Sequence, residues 1–447
     1  MKKSRFFAFF LLLVFLVSAL PGAAALDDPD VQATAALLVD ADHDVVLYEL
    51  NAHEKRYPAS ITKVMTALLT LEAVDRGELA LDDMITATAE IHSDMSPDGS
   101  TQNIKTGETM SLLDLLYCVL LPSANEACNV LAIAVAGDIP TFVSMMNQRA
   151  AELGMTGTHF VNTHGLHQDD HYTTAWDIWL MAREAMKHDL FREIVATKEY
   201  YVPATNMSEQ RHFFNTNALL SQLKYLGYVY EPAIGIKTGS TPEAGQCLVS
   251  AAEQDGRTLY CVVLGAELAK QPDESYKRMN FSESSRLLEW GFDNFSYRTI
   301  LESAEPMAEV KVALSDTDYV LARPEGSLSA LIPNDLDVAD FTQTVELDAE
   351  EVDAPVSEGQ VLGKVTLSYG DGEYGSLDLV ALNDVERSEL LYRIDQVQNL
   401  IAQPWFKLAA AALVVLILAL VVRSMVLGSR RKRRTRSYVG SSGRRRR

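Results

Sequence analysis

Apolar residues recur at two different spacings over residues 30–297, which indicates a mixture of strands and helices. Short apolar runs bounded by polar turns predict strands at 33–39 and 45–50. Longer segments with apolar residues three and four apart predict helices at 61–75, 112–121, 127–136 and 175–188, the last opened by a capping box at Thr174. Two more apolar runs, 246–252 and 258–264, flank Asp255-Gly256 and predict a β-hairpin. We therefore expect an α+β domain over residues 26–297.

The pattern changes near residue 300. Strand-like runs separated by acidic and glycine-rich turns occur at 309–314, 319–322, 344–347, 361–369 and 375–381. They predict a small all-β sandwich domain over residues 298–383. Residues 384–402 return to helical spacing, and Pro404 interrupts the helix, so we expect a helical linker over 384–404.

The amino terminus has the pattern of a secretory signal peptide. Lys2, Lys3 and Arg5 precede an apolar run from Phe6 to Leu20, and small residues occupy 23–25. This order predicts a signal peptide over residues 1–25 that is cleaved after Ala25. An uncleaved amino-terminal anchor is the alternative, against which the small residues argue.

The carboxyl terminus predicts a transmembrane helix over residues 405–427. Leu408 to Val422 is uncharged, and snorkelling of Lys407 and Arg423 would extend the span across a bilayer of about 30 Å. The basic tail, 428–447, then lies in the cytoplasm by the positive-inside rule, with residues 26–406 outside. A nuclear or nucleic-acid-binding tail is less favoured, because the basic cluster directly follows the span.

The charge distribution supports an exported membrane protein. The formal net charge is -22, yet residues 26–406 hold all 61 acidic residues and 24 of the 39 basic ones, a balance of -37. Such an acidic body argues against nucleic acid as a partner. Four cysteines in 447 residues are too few for a disulfide scaffold.

Ser60 and Lys63 form the first of three motifs that indicate chemistry. Ser60-Ile61-Thr62-Lys63 follows Pro58 at the start of a predicted helix, where residues three apart share a face. A neutral lysine can therefore activate the serine as a nucleophile, provided that burial or a nearby cation lowers its pKa. The same spacing recurs at Ser221 and Lys224, without a proline-guided helix start, and we interpret that copy as a surface accident.

Two further motifs complete the pattern. Ser123-Ala124-Asn125 lies on a short loop between two apolar helices, where it either projects into a cleft or only caps the next helix. Lys237-Thr238-Gly239-Ser240 precedes the predicted hairpin, and Gly239 would let a substrate backbone approach closely. A second Lys-Thr-Gly, at 105–107, lies among polar residues and predicts a loop.

In this order the three motifs resemble those of penicillin-binding proteins and serine β-lactamases. More of the chain, roughly residues 30–385, resembles the low-molecular-mass serine D-alanyl-D-alanine carboxypeptidases. The similar stretches are 58–66, 162–166, 215–220, 278–292, 355–359 and 363–365. The resemblance implies the transpeptidase fold of this superfamily, an antiparallel sheet with a helical cluster, and a D,D-carboxypeptidase catalytic domain at 26–297.

The resemblance also implies roles for the motif residues. Ser60 would attack the carbonyl between the terminal D-alanines of a peptidoglycan stem peptide, Lys63 would accept its proton, and Ser123 would relay a proton to the leaving D-alanine. The remaining residues would bind substrate: Asn125 its amide, Lys237 and Thr238 its carboxylate, and the N–H groups of Ser60 and Ser240 the oxyanion. β-Lactams would be slow covalent inhibitors, and neither a metal nor an organic cofactor is needed.

Other functions on the same fold stay open. A D,D-endopeptidase or transpeptidase would use the same residues, whereas a β-lactamase would need a glutamate-bearing motif that we do not find. The complete motif set argues against a non-catalytic wall scaffold. One departure is Thr216, because some relatives have an arginine there that helps to hold the substrate carboxylate.

Histidines and cysteines elsewhere receive weaker interpretations. His164, His167 and His171 lie in a polar turn that resembles a metal cluster, but their mixed spacing disfavours one. In the predicted hairpin, Cys247 would oppose Leu264 and Cys261 would oppose Ser250. These pairings place the two cysteine side chains on opposite faces of the hairpin, so we expect no disulfide between them. Cys118 and Cys128 are expected to pack in the core.

Overall fold

The structure is a computed structural model that describes residues 27–97, 99–370 and 372–436, with side chains to residue 425. The predicted signal peptide and the last residues of the basic tail lie outside the described residues. The chain divides into two compact units. Unit 1 comprises the chain up to Ser296 together with Leu331–Leu336, and unit 2 comprises Tyr297–Ala330 and the chain from Asp337 onward.

Unit 1 contains a five-stranded antiparallel sheet. Its strands in chain order are β1 (Ala35–Asp40), β2 (Val45–Leu50), β7 (Ala233–Thr241), β8 (Gly245–Gln254) and β9 (Arg257–Ala266). They lie in the order β2-β1-β9-β8-β7, so β7 is an edge strand. Short two-stranded sheets are formed by β3 (Met84–Thr86) with β4 (Thr109–Ser111), β5 (Glu199–Val202) with β6 (Arg211–Phe214), and β10 (Leu268–Lys270) with β11 (Tyr276–Arg278).

Helices cover both faces of the five-stranded sheet, as the pattern of β1 requires. All six residues of β1 are buried. Leu37 packs in the larger core, which also contains residues of the helical cluster, whereas Leu38 packs with Leu287 on the other face. Because neither face meets water, β1 is a continuous apolar run instead of an alternating one.

Four helices of unit 1 lie at predicted segments to within a few residues: α1 (Lys63–Asp75), α2 (Leu112–Leu120), α3 (Asn125–Ala136) and α5 (Ala175–Ala185). Three more were not predicted: α4 (Ile139–Glu152), α6 (Asp189–Ala196) and α7 (Met279–Asn294). Thr174 caps α5 as predicted, because its side chain accepts a hydrogen bond from the Asp177 N–H. The first long helix differs at its start, since residues Ala59–Thr62 form a 3₁₀ turn before α1 begins.

The predicted hairpin is present as β8 and β9, but one predicted register is wrong. Cys261 opposes Ser250, as expected. Cys247, which was expected to oppose Leu264, lies where the register shifts between Gln246 and Leu248, so it is not part of the regular pairing. A bulge of this kind places an extra residue on one strand and changes every later pairing. The four cysteines are buried free thiols.

Unit 2 contains a six-stranded sheet of the predicted all-β region. Its strands are β13 (Ala308–Ala313), β14 (Tyr319–Pro324), β16 (Thr342–Leu347), β17 (Glu351–Asp353), β18 (Val361–Tyr369) and β19 (Gly372–Ala381), in the order β16-β18-β19-β14-β13-β17. Strands β12 (Phe295–Leu301) and β15 (Leu328–Pro333) lie where the chain passes between the units. The pairs are antiparallel except for β13 with β17, which is parallel.

Two helices end the described chain. The helix α8 (Glu389–Ala402) has the predicted stripe of apolar residues, and these side chains are exposed. After Gln403, α9 (Pro404–Arg436) begins at the proline, which the first turn of a helix tolerates. Residues Pro404–Met425 of α9 are long and apolar enough to cross a bilayer. The helix continues into the basic segment, so no helix end marks the predicted boundary at residue 427.

Candidate active site

Ser60 lies in the 3₁₀ turn that precedes α1, and Lys63 is the first residue of α1. The Lys63 Nζ donates a hydrogen bond to Ser60 Oγ at 2.8 Å. Ala59 has a φ of +47°, a left-handed conformation that is uncommon for a residue with a side chain. The Thr62 hydroxyl donates to the Ala59 carbonyl at 2.8 Å and so helps to hold this turn.

Lys63 is fully buried, and none of its hydrogen-bond partners within the described residues is a carboxylate. Its amine donates to Asn125 Oδ1 and to the His164 carbonyl, each at 2.7 Å, in addition to Ser60. Burial lowers the pKa of Lys63 from 10.5 to about 8. Three fixed acceptors therefore orient an amine that loses its proton far more easily than an exposed lysine does.

Lys237 places a second amine in the same region. It lies on the edge strand β7, is 1% exposed and donates to the Thr238 carbonyl at 3.1 Å. Burial, and then the charge of Lys63, hold the pKa of Lys237 well below its usual value. Two neighbouring buried amines disfavour each other's protonation. This is one way in which proteins keep a lysine unprotonated near neutral pH, so that it can act as a general base.

Ser123 lies between α2 and α3 in a strained conformation. Its φ is +70°, and its hydroxyl is buried without a hydrogen-bond partner among the residues that the structure describes. The next residues are fixed by their backbone, because Ala124 N–H donates to the Cys118 carbonyl and Asn125 N–H to the Ser100 carbonyl, both at 2.9 Å. Such a hydroxyl costs free energy unless a ligand pairs with it, and strain of this kind clusters at functional sites.

Gly239 makes a close contact, but with the protein itself. A Cβ atom there would lie 2.8 Å from the Pro58 carbonyl oxygen and 3.1 Å from the Ser60 nitrogen. The glycine thus lets β7 pack directly on the turn that holds Ser60. Its neighbours also form hydrogen bonds: Thr238 Oγ1 lies 2.7 Å from Thr216 Oγ1, and Ser240 Oγ accepts from Gln246 Nε2 at 2.8 Å.

The motif residues surround one small cavity, which we call the catalytic cavity. Its volume is about 130 Å³. It is lined by Ser60, Ser123, Thr238, Gly239 and Ser240 from the predicted set, and by Ser100, Thr216, Lys224, Tyr225, Gln246, Arg278, Asn280 and Phe281. Asn125, Lys63 and Lys237 are buried beside it through the contacts described above. The cavity combines a serine, two weakly basic amines and an unpaired hydroxyl, which together can transfer an acyl group.

Comparison with known proteins agrees with this geometry. The family model described as D-alanyl-D-alanine carboxypeptidase matches residues 23–268, and the one described as penicillin-binding protein 5, C-terminal domain matches residues 295–387. The chain belongs to the serine D-alanyl-D-alanine carboxypeptidase family. It is a serine-type D-alanyl-D-alanine carboxypeptidase and a low-molecular-mass penicillin-binding protein, as the resemblance over residues 30–385 predicted.

Individual relatives cover most of the carboxypeptidase. The D-alanyl-D-alanine carboxypeptidase DacF of Bacillus subtilis is 30% identical over 342 residues, 76% of this chain and 82% of the relative. Penicillin binding protein 5 from Haemophilus influenzae superposes with a TM-score of 0.59 at 27% identity, over 81% of this chain and all of the other. The Streptomyces K15 DD-transpeptidase superposes with a TM-score of 0.53 at 29% identity, over 60% of this chain and all of the other.

The structure adds two cations of the carboxypeptidase that the motif search did not assign to the site. Lys224 is exposed but also lines the catalytic cavity, whereas Ser221 is buried, so our interpretation of that copy as a surface accident was wrong for its serine. Arg278 lines the cavity too, donates to Gln246 Oε1 at 2.9 Å and has its guanidinium carbon 4.1 Å from the Tyr225 ring centroid. Lys224 lies between β6 and β7 and Arg278 ends β11, so the spacing within the three motifs indicates neither cation.

Glu126 is a third residue that the motifs did not indicate. It is 2% exposed, and its Oε1 accepts from Thr101 Oγ1 and from the Gln102 N–H, each at 2.7 Å. Its Oε2 is buried and has no hydrogen-bond partner in the part of the chain that the structure describes. Since Ser100 of the same loop lines the catalytic cavity, Glu126 holds the loop that forms one of its walls. In the sequence, the only indication of this residue was its position directly after Asn125.

The histidine segment supports the turn around Ser60. A Cβ at Gly165 would lie 1.8 Å from the Ala59 carbonyl oxygen, so only glycine fits there. His171 Nε2 lies 2.8 Å from Thr62 Oγ1, and its Nδ1 accepts from the Val161 N–H at 3.2 Å. Burial lowers the pKa of both His164 and His171 to about 3, so both rings are neutral and structural.

Proposed function

We propose that Ser60 is the nucleophile of the carboxypeptidase and that Lys63 is its general base. The hydrogen bond of 2.8 Å between Lys63 Nζ and Ser60 Oγ is the observation that supports this assignment most directly. A pKa of about 8 leaves roughly a tenth of Lys63 neutral at pH 7. The neutral amine accepts the serine proton as the oxygen attacks the carbonyl between the two terminal D-alanines of a stem peptide.

Ser123 and Lys237 then act on the leaving group. The Ser123 hydroxyl, which has no hydrogen-bond partner in the described part of the chain, donates a proton to the nitrogen of the departing D-alanine. Lys237, the second buried amine, supports this transfer electrostatically by holding the local field. Asn125, fixed by Lys63, presents its side-chain amide to the backbone amide of the substrate. This division of roles leaves no step for a metal or an organic cofactor.

The substrate carboxylate meets a cationic end of the catalytic cavity. We assign it to Thr238 and Lys237, with Arg278 supplying the guanidinium that Thr216 cannot, and with Lys224 adding positive charge. The N–H groups of Ser60 and Ser240 stabilise the oxyanion. Water hydrolyses the acyl-enzyme, whereas β-lactams leave Ser60 as a slowly hydrolysed adduct.

Residues 404–425 anchor the enzyme in the cell membrane in this proposal. The apolar length of α9 supports a single span, and the basic residues after it favour a cytoplasmic tail. The catalytic unit then lies outside, after removal of residues 1–25. A carboxyl-terminal epitope tag should resist protease in intact spheroplasts and be digested after lysis. Digestion in intact spheroplasts would contradict this topology.

Release of D-alanine tests the proposed function. The full-length enzyme in detergent is incubated with a pentapeptide ending in D-alanyl-D-alanine, and free D-alanine is measured beside the matched Ser60→Ala variant. We expect release by the native enzyme alone. Cleavage of cross-linked dimers or formation of new cross-links at a higher rate would instead favour the endopeptidase or transpeptidase alternative. Rapid turnover of penicillin would favour a β-lactamase.

A further inference from the structure

A second and larger cavity lies at the carboxyl end of β7, and we call it the outer groove. Its volume is about 870 Å³, and it is lined by residues of the β7–β8 turn, of the end of β9 and of the segment that precedes Ser60. Gln246 lines both this groove and the catalytic cavity. The two spaces therefore adjoin, and a substrate bound at Ser60 can extend from one into the other.

Opposite charges line the outer groove without pairing with one another. Lys55 and Arg56 contribute the cations, and Asp169, Glu243 and Glu267 contribute carboxylates. Among the described residues no ion pair joins any of these three carboxylates to either cation. Arg56 pairs with Glu54, which is outside the lining. A groove with separated charges of both signs fits a ligand that has an amine and a carboxylate of its own.

The cations are held in place by their surroundings. Lys55 Nζ lies 3.8 Å from the centroid of the Tyr172 ring, which also lines the groove. The backbone of Arg56 pairs with that of Thr173 through two hydrogen bonds of 2.7 and 2.8 Å, which fix the position of the residue at the groove. Preorganised donors of this kind bind a carboxylate at a lower entropic cost than free side chains do.

The edge strand β7 directs a bound peptide towards the groove. Ser240 lines the catalytic cavity, and the next residue, Thr241, lines the outer groove. A peptide that is bound in extended form along β7 advances about 3.3 Å per residue. With its carboxylate at Thr238, the residue directly before the D-alanyl-D-alanine pair lies about 10 Å away, beside Thr241.

We propose that the outer groove selects the residue before the terminal D-alanine pair and takes a diamino dicarboxylic side chain, which ends in both an amine and a carboxylate. Lys55 and Arg56 bind the carboxylate, and Glu243 and Glu267 bind the amine. The inference rests on the proposed function, because the stem peptide must first occupy the catalytic cavity. A monoamine side chain such as that of lysine satisfies only the acidic half of the groove.

Two pentapeptides that differ only in this residue test the proposal. One contains meso-diaminopimelate and the other L-lysine, and D-alanine release gives kcat and KM for full-length native enzyme, Lys55→Ala and Glu243→Gln. The control Lys364→Ala removes an exposed lysine of unit 2. A third substrate, diacetyl-L-lysyl-D-alanyl-D-alanine, has no charged side chain and reports the catalytic cavity alone.

We expect the native enzyme to favour the diaminopimelate peptide about tenfold in kcat/KM, mainly through KM. Lys55→Ala and Glu243→Gln should each reduce that preference to about threefold or less. Both variants should keep the native kcat/KM on the diacetyl substrate, and Lys364→Ala should keep the native preference between the two peptides. Equal use of both peptides, a preference for lysine, or a preference that survives both substitutions would overturn the inference. No release from any substrate would refute the proposed function instead, so the two failures are distinguishable.

Discussion

The amine of Lys63 lies 2.8 Å from the hydroxyl of Ser60, and among the described residues neither group has a carboxylate as a hydrogen-bond partner. In many serine hydrolases a histidine supplies the base, with a carboxylate to orient it. Here the amide of Asn125 and a backbone carbonyl orient the base. Burial lowers its pKa to about 8, so part of it is unprotonated near neutral pH. The chemistry therefore depends on how the fold desolvates Lys63.

The rate of acylation by penicillin should depend on pH through Lys63. Because burial lowers its pKa to about 8, the neutral base accumulates as the pH rises towards that value. We expect the second-order acylation rate constant to rise about tenfold per pH unit up to this pKa and then to level off. Stopped-flow fluorescence with a labelled penicillin measures it. A rate that is flat between about pH 6 and about pH 9 would contradict this role.

Replacing Lys237 with methionine should stabilise the fold while it abolishes activity. The native amine is buried beside Lys63, and its lowered pKa means that folding opposes its protonation. At neutral pH the substitution should raise the free energy of unfolding by about 1–3 kcal/mol and slow acylation at least about 100-fold. Chemical denaturation and penicillin labelling measure both effects.

Lys224→Met is the matched control for that substitution. It removes a lysine that lines the same cavity but is exposed, so stability should change by less than about 0.5 kcal/mol. A Lys237→Met variant less stable than the native enzyme would show that the amine supports the fold, against our account.

Ser123 offers two substitutions that separate strain from chemistry. Ser123→Ala and Ser123→Gly both remove the unpaired hydroxyl, and each should slow acylation about 100-fold. Only glycine relieves the φ of +70°, so the glycine variant should be about 1 kcal/mol more stable than the alanine variant. Thermal unfolding and acylation kinetics provide the comparison. Native rates in both variants would exclude the hydroxyl from the reaction.

Glu126 should influence the pKa of Lys63 through its charge and not through a hydrogen bond. Its negative charge raises the pKa of Lys63, so Glu126→Gln should move the rise in acylation rate to lower pH. Glutamine keeps an oxygen for Thr101 and Gln102, whereas Glu126→Ala also releases that loop and should cost about 2–4 kcal/mol. The same stopped-flow profile and a denaturation curve test both variants. An unchanged profile in Glu126→Gln would rule out this electrostatic link.

The sequence was sufficient to predict the motifs and most elements near them. Ser60 and Lys63 are three residues apart at a helix start, so their contact follows from helix geometry alone. The continuous apolar run of β1 and the cap at Thr174 are likewise local signals. The family resemblance then predicted which motifs would meet, which no local spacing indicates.

Tertiary contacts explain what could not be predicted. Lys224, which lies between β6 and β7, and Arg278, which ends β11, meet at the catalytic cavity only through the tertiary fold. The bulge at Cys247 shifts the hairpin register by a local irregularity that an alternating pattern does not encode. Gly239 is required by the close approach of the Ser60 turn, whereas the sequence had indicated the approach of a substrate.

Identification of the acylated residue tests the central claim most directly. Full-length enzyme in detergent is trapped with benzylpenicillin, digested and analysed by mass spectrometry beside the Ser60→Ala variant. Our account predicts a penicilloyl adduct on Ser60 in the native enzyme and none in the variant. An adduct on Ser123 or Ser221, or labelling that persists in Ser60→Ala, would contradict it.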